Sequence, residues 1–354
     1  MRFLSSHALL LALLFIPCAA SGKTVRIASF NVLQGVGSVG GTQYNAVKSI
    51  LFRVDADLVA FQELTPSDAS NWLALAAELG YGHTAEGTTS PLSGPRKVGY
   101  YSRWPILSTF QVKSTPPANE ITRPPFRAVI DVDATQSPLV LWTVHHKASS
   151  GANNEFRRAI EGMRTVQNMD AYLLANPTHD EYVVLGDFND DVAQSQTDQF
   201  TSLPSGLPGS YLLCTDVVYP VPYRVFPEDT YEIAGNGMTM LGATHEDSAA
   251  MNTFISGGRF DYIFVSPAIQ NSPLGVPMTE VYNSNRDDGA GGLPKTGLPL
   301  AAGTSSTASD HFLLFADIQM ANLSTGFSAS FRLPVLLPPE TRAARLLPRP
   351  GAIP

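Results

Sequence analysis

Residues 183–190 read VVLGDFND. Three apolar residues, two of them β-branched, make a short buried strand, and Gly186 marks its end. A carboxylate (Asp187) and a carboxamide (Asn189) follow, two residues apart. At the mouth of a parallel or mixed sheet such a pair points into the crevice where α/β sheets bind ligands. Asp and Asn also form turns on their own account, so the motif alone fits a site or a turn. The rest of the chain repeats it. Residues 25–32 (VRIASFNV) form a strand with Asn31 at its end, and 57–63 (DLVAFQE) close on Gln62 and Glu63. Residues 139–144 run into His145-His146-Lys147, 260–265 carry Asp261 near the start, and Ser309-Asp310-His311 leads into a strand over 312–318. Independent chance would scatter polar residues along the strands. Collected at the ends, they imply one shared crevice.

The intervening elements read as α/β. The spacing predicts helices over 44–53, 66–79 and 154–174, the last with Phe156, Ile160, Met163, Val166 and Met169 on one face. Strands are predicted at 98–101, 106–111 and 126–132, whereas 202–256 and 283–309 are Pro- and Gly-rich and irregular. His245-Glu246-Asp247, inside the first irregular stretch, offers metal ligands, although a polar triplet in a loop is usually only solvated. Gly35-Val36-Gly37-Ser38-Val39-Gly40 matches GxGxxG after a strand, and Glu63 lies 23 residues beyond Gly40. A dinucleotide-binding oxidoreductase would show the same pattern. Nothing downstream supports hydride transfer, and a surface loop explains the glycines as well.

Residues 1–22 combine Arg2, an apolar run over 9–16 and small residues at 18–22, the pattern of a cleaved secretory signal. The chain is therefore expected to be secreted or periplasmic, with one domain over 23–320 and a Pro- and Arg-rich tail over 321–354. A lipid-modified Cys18 ranks below simple secretion because Pro17 precedes it. No later stretch is long and apolar enough to span a bilayer. Loss of Arg2 takes the net charge from −8 to −9, which argues against non-specific coating of nucleic acid. It leaves room for an enzyme that engages a few phosphates. Cys214 is then the remaining thiol, so no internal disulfide forms.

The ordered pieces SFNV, the QE of FQELT, VHHK, GDFN, FDYIF and SDH resemble the endonuclease/exonuclease/phosphatase superfamily of metal-dependent phosphoesterases, over about residues 24–320. The resemblance implies a four-layer α/β sandwich, two mixed β-sheets packed face to face with helices outside. It implies Mg²⁺, with Mn²⁺ or Ca²⁺ as alternatives, because a cation with hard oxygen ligands neutralises an anionic phosphate ester before attack. Glu63 is then the principal metal ligand, with Asn31 and Asp310 nearby. His311 resembles the general base and Asp261 the carboxylate on its other ring nitrogen. Asp187 would orient the nucleophile or bind metal, Asn189 would donate to a phosphate oxygen, and His145 would hydrogen-bond phosphate. The family His follows the last apolar residue of its strand, here Val144, which selects His145; the reverse order, with His146, stays open. Arg123, in TRPP, resembles a phosphate-contacting Arg of pancreatic-type deoxyribonucleases, with Arg127 as its rival.

Subfamily signals are mixed. Apurinic-site nucleases carry Tyr in the slot of His145, and the Glu that pancreatic-type enzymes place before strand 98–101 is missing from 94–97 (GPRK). Sphingomyelinases need an exposed aromatic hairpin, for which Phe226 and Tyr231 are the candidates. The expected function is a secreted phosphodiesterase acting on nucleic acid, with no protein partner inferred. A lipid or small-molecule phosphoesterase comes next, then a non-catalytic binding protein on the same fold.

Overall fold

The computed structural model describes residues 22–90, 94–114, 121–132, 137–191, 199–200, 204–207, 223–224, 229–234 and 237–321. The expected signal at 1–22, Cys214, Phe226 and nearly all of the tail lie outside these residues, apart from Gly22 and Ala321. The first half runs β1 (Gly22–Asn31), α1 (Thr42–Val54), β2 (Leu58–Leu64), α2 (Ala69–Glu78), β3 (His83–Glu86), β4 (Lys97–Ser102), β5 (Ile106–Gln111) and β6 (Phe126–Ile130). There follow β7 (Leu139–His145), α3 (Ala152–Ala175), β8 (Tyr182–Asp187), β9 (Gln199–Phe200), β10 (Tyr223–Arg224), β11 (Thr239–Met240) and β12 (Thr244–His245). The chain closes with β13 (Asp261–Val265), α4 (Pro267–Gln270), β14 (Met278–Tyr282), α5 (Thr304–Ala308) and β15 (Leu313–Ala321).

Two mixed sheets result, ordered β12-β14-β15-β1-β2-β4-β3 and β11-β13-β8-β7-β6-β5. Residue parity shows how they stack. Val25, Ile27, Leu58 and Ala60 of one sheet join Leu139, Leu141, Val183 and Leu185 of the other in a single central core. The alternate residues Ala28, Phe30, Val59 and Phe61 pack with Val47 and Ile50 of α1 and Leu75 of α2. Val140, Trp142 and Val184 pack with Val166 and Met169 of α3. Strands covered on both faces carry continuous apolar runs, which is why little alternation is visible in them. The architecture is the four-layer sandwich. Among the described residues no helix is long and apolar enough to cross a membrane.

Differences from the sequence reading have local causes. The helix expected over 66–79 is a 3-10 turn at Pro66–Asp68 followed by α2. The Asp68 carboxylate accepts from Val36 N at 2.5 Å, which ties that turn to the glycine loop. Strand β2 does not stop at Glu63; its pairing with β4 shifts register between Phe61 and Leu64, and Glu63 sits in that bulge with φ 62°. Such a bulge re-aims a side chain out of the strand's regular alternation.

Topology places the polar strand ends together. β1 and β2 pair in parallel, as do β7 and β8, so Asn31, His145 and Asp187 finish at like ends of their sheets. β13 runs antiparallel to β8 with Asp261 opposite Asp187, and β15 runs antiparallel to β1 and begins just after His311. The Gln62 amide crosses the core to donate to Thr143 Oγ1 at 3.0 Å, tying the two sheets at this end.

Candidate active site

The end of β8 is built around Gly186. Its φ is +145°, and a Cβ there would lie 2.1 Å from the Val144 carbonyl oxygen, so only glycine lets β7 and β8 approach this closely. Asp187 follows and is buried. Its Oδ1 accepts from Asn189 N at 2.8 Å and its Oδ2 from Asn31 Nδ2 at 2.9 Å. Asn189 takes φ 51°, a left-handed conformation that Asn tolerates, and its Nδ2 donates to the His146 carbonyl at 3.1 Å. The stretch is therefore an Asx turn as well as a meeting point of the two sheets.

His311 Nδ1 lies 2.8 Å from Asp261 Oδ2, and its Nε2 is 3.9 Å from Asp187 Oδ2. Burial alone would lower the imidazole pKa, but the Asp261 and Asp187 carboxylates outweigh it and carry His311 up to about 10. Burial pushes Asp187 up to about 7, helped by the like charge of Asp261 and opposed by His311. The Phe254 ring packs edge-on against His311, with centroids 5.0 Å apart. Thr253 Oγ1 accepts from Asp261 N at 2.9 Å and fixes the start of β13.

Of the two adjacent histidines, His145 faces the carboxylates. Its Nε2 is 3.4 Å from Asp187 Oδ2 and 3.7 Å from Glu63 Oε1. Burial, reinforced by Arg123 and His311, drives its pKa well down, so the ring stays neutral. His146 turns the other way, edge-on to Phe188, and burial lowers it to about 3. Only its backbone serves the site: the carbonyl accepts from Arg123 Nη1 at 2.6 Å. Arg127 lies instead over the Tyr172 ring, 3.9 Å from its centroid, on the α3 side of the sheet.

Sequence reading missed Glu161, a fully buried carboxylate on α3. Its Oε1 accepts from Thr122 N at 2.7 Å and from the Thr122 hydroxyl, and its Oε2 from Lys147 N at 2.7 Å. One side chain thus pins the residue before Arg123 and the chain just after His145-His146. Helical periodicity gave no signal for it, because Glu161 lies off the stripe of Phe156, Ile160, Met163 and Val166. Glu161→Ala leaves two backbone donors without this acceptor, and each is expected to cost about 1–3 kcal/mol. Urea denaturation of the variant should show the loss, with Glu161→Gln falling between it and the parent.

Glu63 Oε2 accepts from Arg96 Nε at 2.8 Å. Asp310 is half-buried, and its Oδ1 is 3.4 Å from Ser309 Oγ. Ser309 Oγ also donates to the Asn31 carbonyl at 2.7 Å, joining the approach to β15 to the end of β1. Asn31 directs its amide to Asp187 rather than to Glu63. The tightest group of possible metal ligands among the described residues is Asp187, Asp261 and His311, whose ligand atoms lie within 4.8 Å of one another. Glu63, Asn31 and Asp310, the metal ligands expected from the sequence, are not in that group; of its members Asp187 was the one expected to orient the nucleophile or bind metal. Asp261 Oδ1 is buried without a hydrogen-bond partner. An orphaned carboxylate oxygen beside further hard oxygen donors fits a divalent cation. Beside Asp310 runs a groove of about 540 Å³ lined by Leu33, Phe254 and Ile255 among others.

Other sequence candidates have different employment. The Val36 amide of the glycine loop points at the Asp68 carboxylate, which would repel a pyrophosphate, so the dinucleotide reading fails there. His245 bonds Asn252, Glu246 pairs with Lys295 and Asp247 with Arg286, so the triplet diverges instead of converging on a metal. Tyr231 is buried against Phe188 and Phe264 and presents no aromatic ring to a membrane.

The sequence profile of the endonuclease/exonuclease/phosphatase family matches residues 28–311. A search of curated protein sequences gave no match. Among solved structures, the human nocturnin catalytic domain with bound sulfate superposes with a TM-score of 0.54 at 14% identity, covering 84% of this chain and 94% of that one. Sphingomyelinase C from Streptomyces griseocarneus gives 0.51 at 14% identity, covering 83% and 99%. Truncated TDP2 from Caenorhabditis elegans gives 0.50 at 13% identity, covering 83% and 97%. At these identities the structural likeness speaks to fold.

Proposed function

Since the chain belongs to the endonuclease/exonuclease/phosphatase family and is a hydrolase of phosphate ester bonds, we propose that it is a secreted or periplasmic Mg²⁺-dependent phosphodiesterase acting on nucleic acid. The observation that carries the reading is the buried Asp261–His311–Asp187 group, which presents a carboxylate-oriented imidazole at the strand ends. Export rests on the signal-like residues 1–22.

In this reading His311 Nε2 takes a proton from the attacking water, while Asp261 holds the Nδ1 proton and so fixes the tautomer. The oxygen–phosphorus bond forms opposite the leaving group as the phosphorus–oxygen bond to the leaving alkoxide breaks, and the alkoxide takes a proton from solvent water. Asp187 holds Asn31 and the Asn189 turn in place. The neutral His145, the Asn189 amide and the Arg123 guanidinium donate to the phosphoryl oxygens as charge builds on them. Glu63, with Asn31 and Asp310 nearby and Asp187 and Asp261 as further donors, would hold the divalent cation. The cation supplies positive charge that neutralises the phosphate. Mn²⁺ and Ca²⁺ are alternatives to Mg²⁺ on the same oxygen ligands.

Supercoiled plasmid incubated with the chain from residue 23 onward should be nicked in Mg²⁺ and stay intact in excess chelator. Intact plasmid in both would sink the nucleic-acid reading. A second reading has its own support, because Leu33 and Ile255 expose apolar side chains along the groove beside Asp310. That surface suits a phosphoester with an apolar substituent, the lipid or small-molecule class, and cleavage of such a diester alone would favour it.

A further inference from the structure

Arg96 stands where no phosphate-binding or metal-binding role was assigned. It precedes β4, directly across from the bulge that carries Glu63, and its side chain is 31% exposed. One Glu63 oxygen is hydrogen-bonded and the other is not. Oε2 accepts from Arg96 Nε at 2.8 Å, and Oε1 faces His145 Nε2 at 3.7 Å. A cation that uses Glu63 as ligand must therefore compete with a guanidinium for the same carboxylate. Arg96 is also close enough to Arg123 and His145 for its charge to lower the pKa of both. Two guanidinium groups facing one region repel each other unless an anion lies between them, and Glu63 is now that anion for Arg96.

We infer that Arg96 is an exchangeable positioning residue, paired with Glu63 until a divalent cation takes the carboxylate and then turned with Arg123 onto the substrate phosphate. The exchange rests on the reading of Glu63 as metal ligand. It makes cation and phosphate binding mutually reinforcing, since each removes the partner that would hold Arg96 away from the other. Guanidinium geometry suits both partners, because its fork matches carboxylate and phosphate oxygens alike.

Calorimetric titration with Mn²⁺, with and without inorganic phosphate, tests this on the full chain from residue 23. Arg96→Met should bind Mn²⁺ about 2- to 5-fold more tightly than the parent, because a partly exposed ion pair no longer opposes the metal. Phosphate should strengthen Mn²⁺ binding less in Arg96→Met than in the parent, and Arg96→Lys should fall between the two. Glu63→Gln should lose most Mn²⁺ affinity. Equal or weaker Mn²⁺ affinity in Arg96→Met, with Glu63→Gln impaired, would overturn the exchange while leaving Glu63 as ligand. Parent-like Mn²⁺ binding by Glu63→Gln would overturn the exchange and the metal reading together.

Discussion

Turnover of His311→Ala falls by about 10²–10⁴-fold, the usual contribution of a positioned general base. The size follows from how fully the ring is committed. Nδ1 is held by Asp261 at 2.8 Å, and packing against Phe254 leaves Nε2 as the face turned toward Asp187. Alanine removes the proton acceptor and also leaves the buried Asp261 carboxylate without its partner. The pH profile supplies the second readout. Only the neutral imidazole accepts a proton, and its carboxylate neighbours raise His311 to about 10. The parent's rate should therefore climb with pH as the imidazole loses its proton, and the variant should lose the climb along with the rate. A variant that keeps the parent's rate and profile would remove His311 from the chemistry.

Asp187→Asn separates activity from stability. Activity should drop by at least about 10²-fold, since Asp187 positions Asn31 and the Asn189 turn and faces both His145 and His311. Stability should change in a pH-dependent way. The folded carboxyl stands at about 7 against 3.8 when unfolded, so the folded state holds this proton more tightly. Its contribution is fully present below 3.8 and is lost as the pH rises through 7, a change on the order of a few kcal/mol. Asparagine cannot titrate. Between pH 4 and 7 the variant's Tm should decline less steeply than the parent's, or rise more. Parallel Tm curves would show that Asp187 carries no such buried charge.

The two variants probe the part of the molecule that was most legible in the sequence. Strands buried on both faces appear as apolar runs, and the polar residues that close them stand out for that reason. Asn31, Asp187, Asp261 and His311 were all found by this contrast. Helix α3 was visible because Met163, Val166 and Met169 recur at its period. Strand β14 was not, because its Glu280 reads as exposed; the structure buries it against Lys295, fifteen residues later in the chain. Glu161 escaped because its partners, the Thr122 amide and hydroxyl and the Lys147 amide, are brought to α3 only by packing. Arg96 escaped for a related reason: its significance depends on a bulge in β2, and bulges leave little trace in composition.

The pairing of β1 with β15 carries a consequence for attachment. Gly22 lies opposite Ala321 in that ladder, so both ends of the folded domain leave the molecule side by side. They do so at the far end of β1 from Asn31, roughly 30 Å away at the rise of an extended strand. Whatever is joined to either end, whether a tether to a surface, a reporter or a second domain, departs from the pole opposite the carboxylates. The mouth of the site then points away from any such attachment.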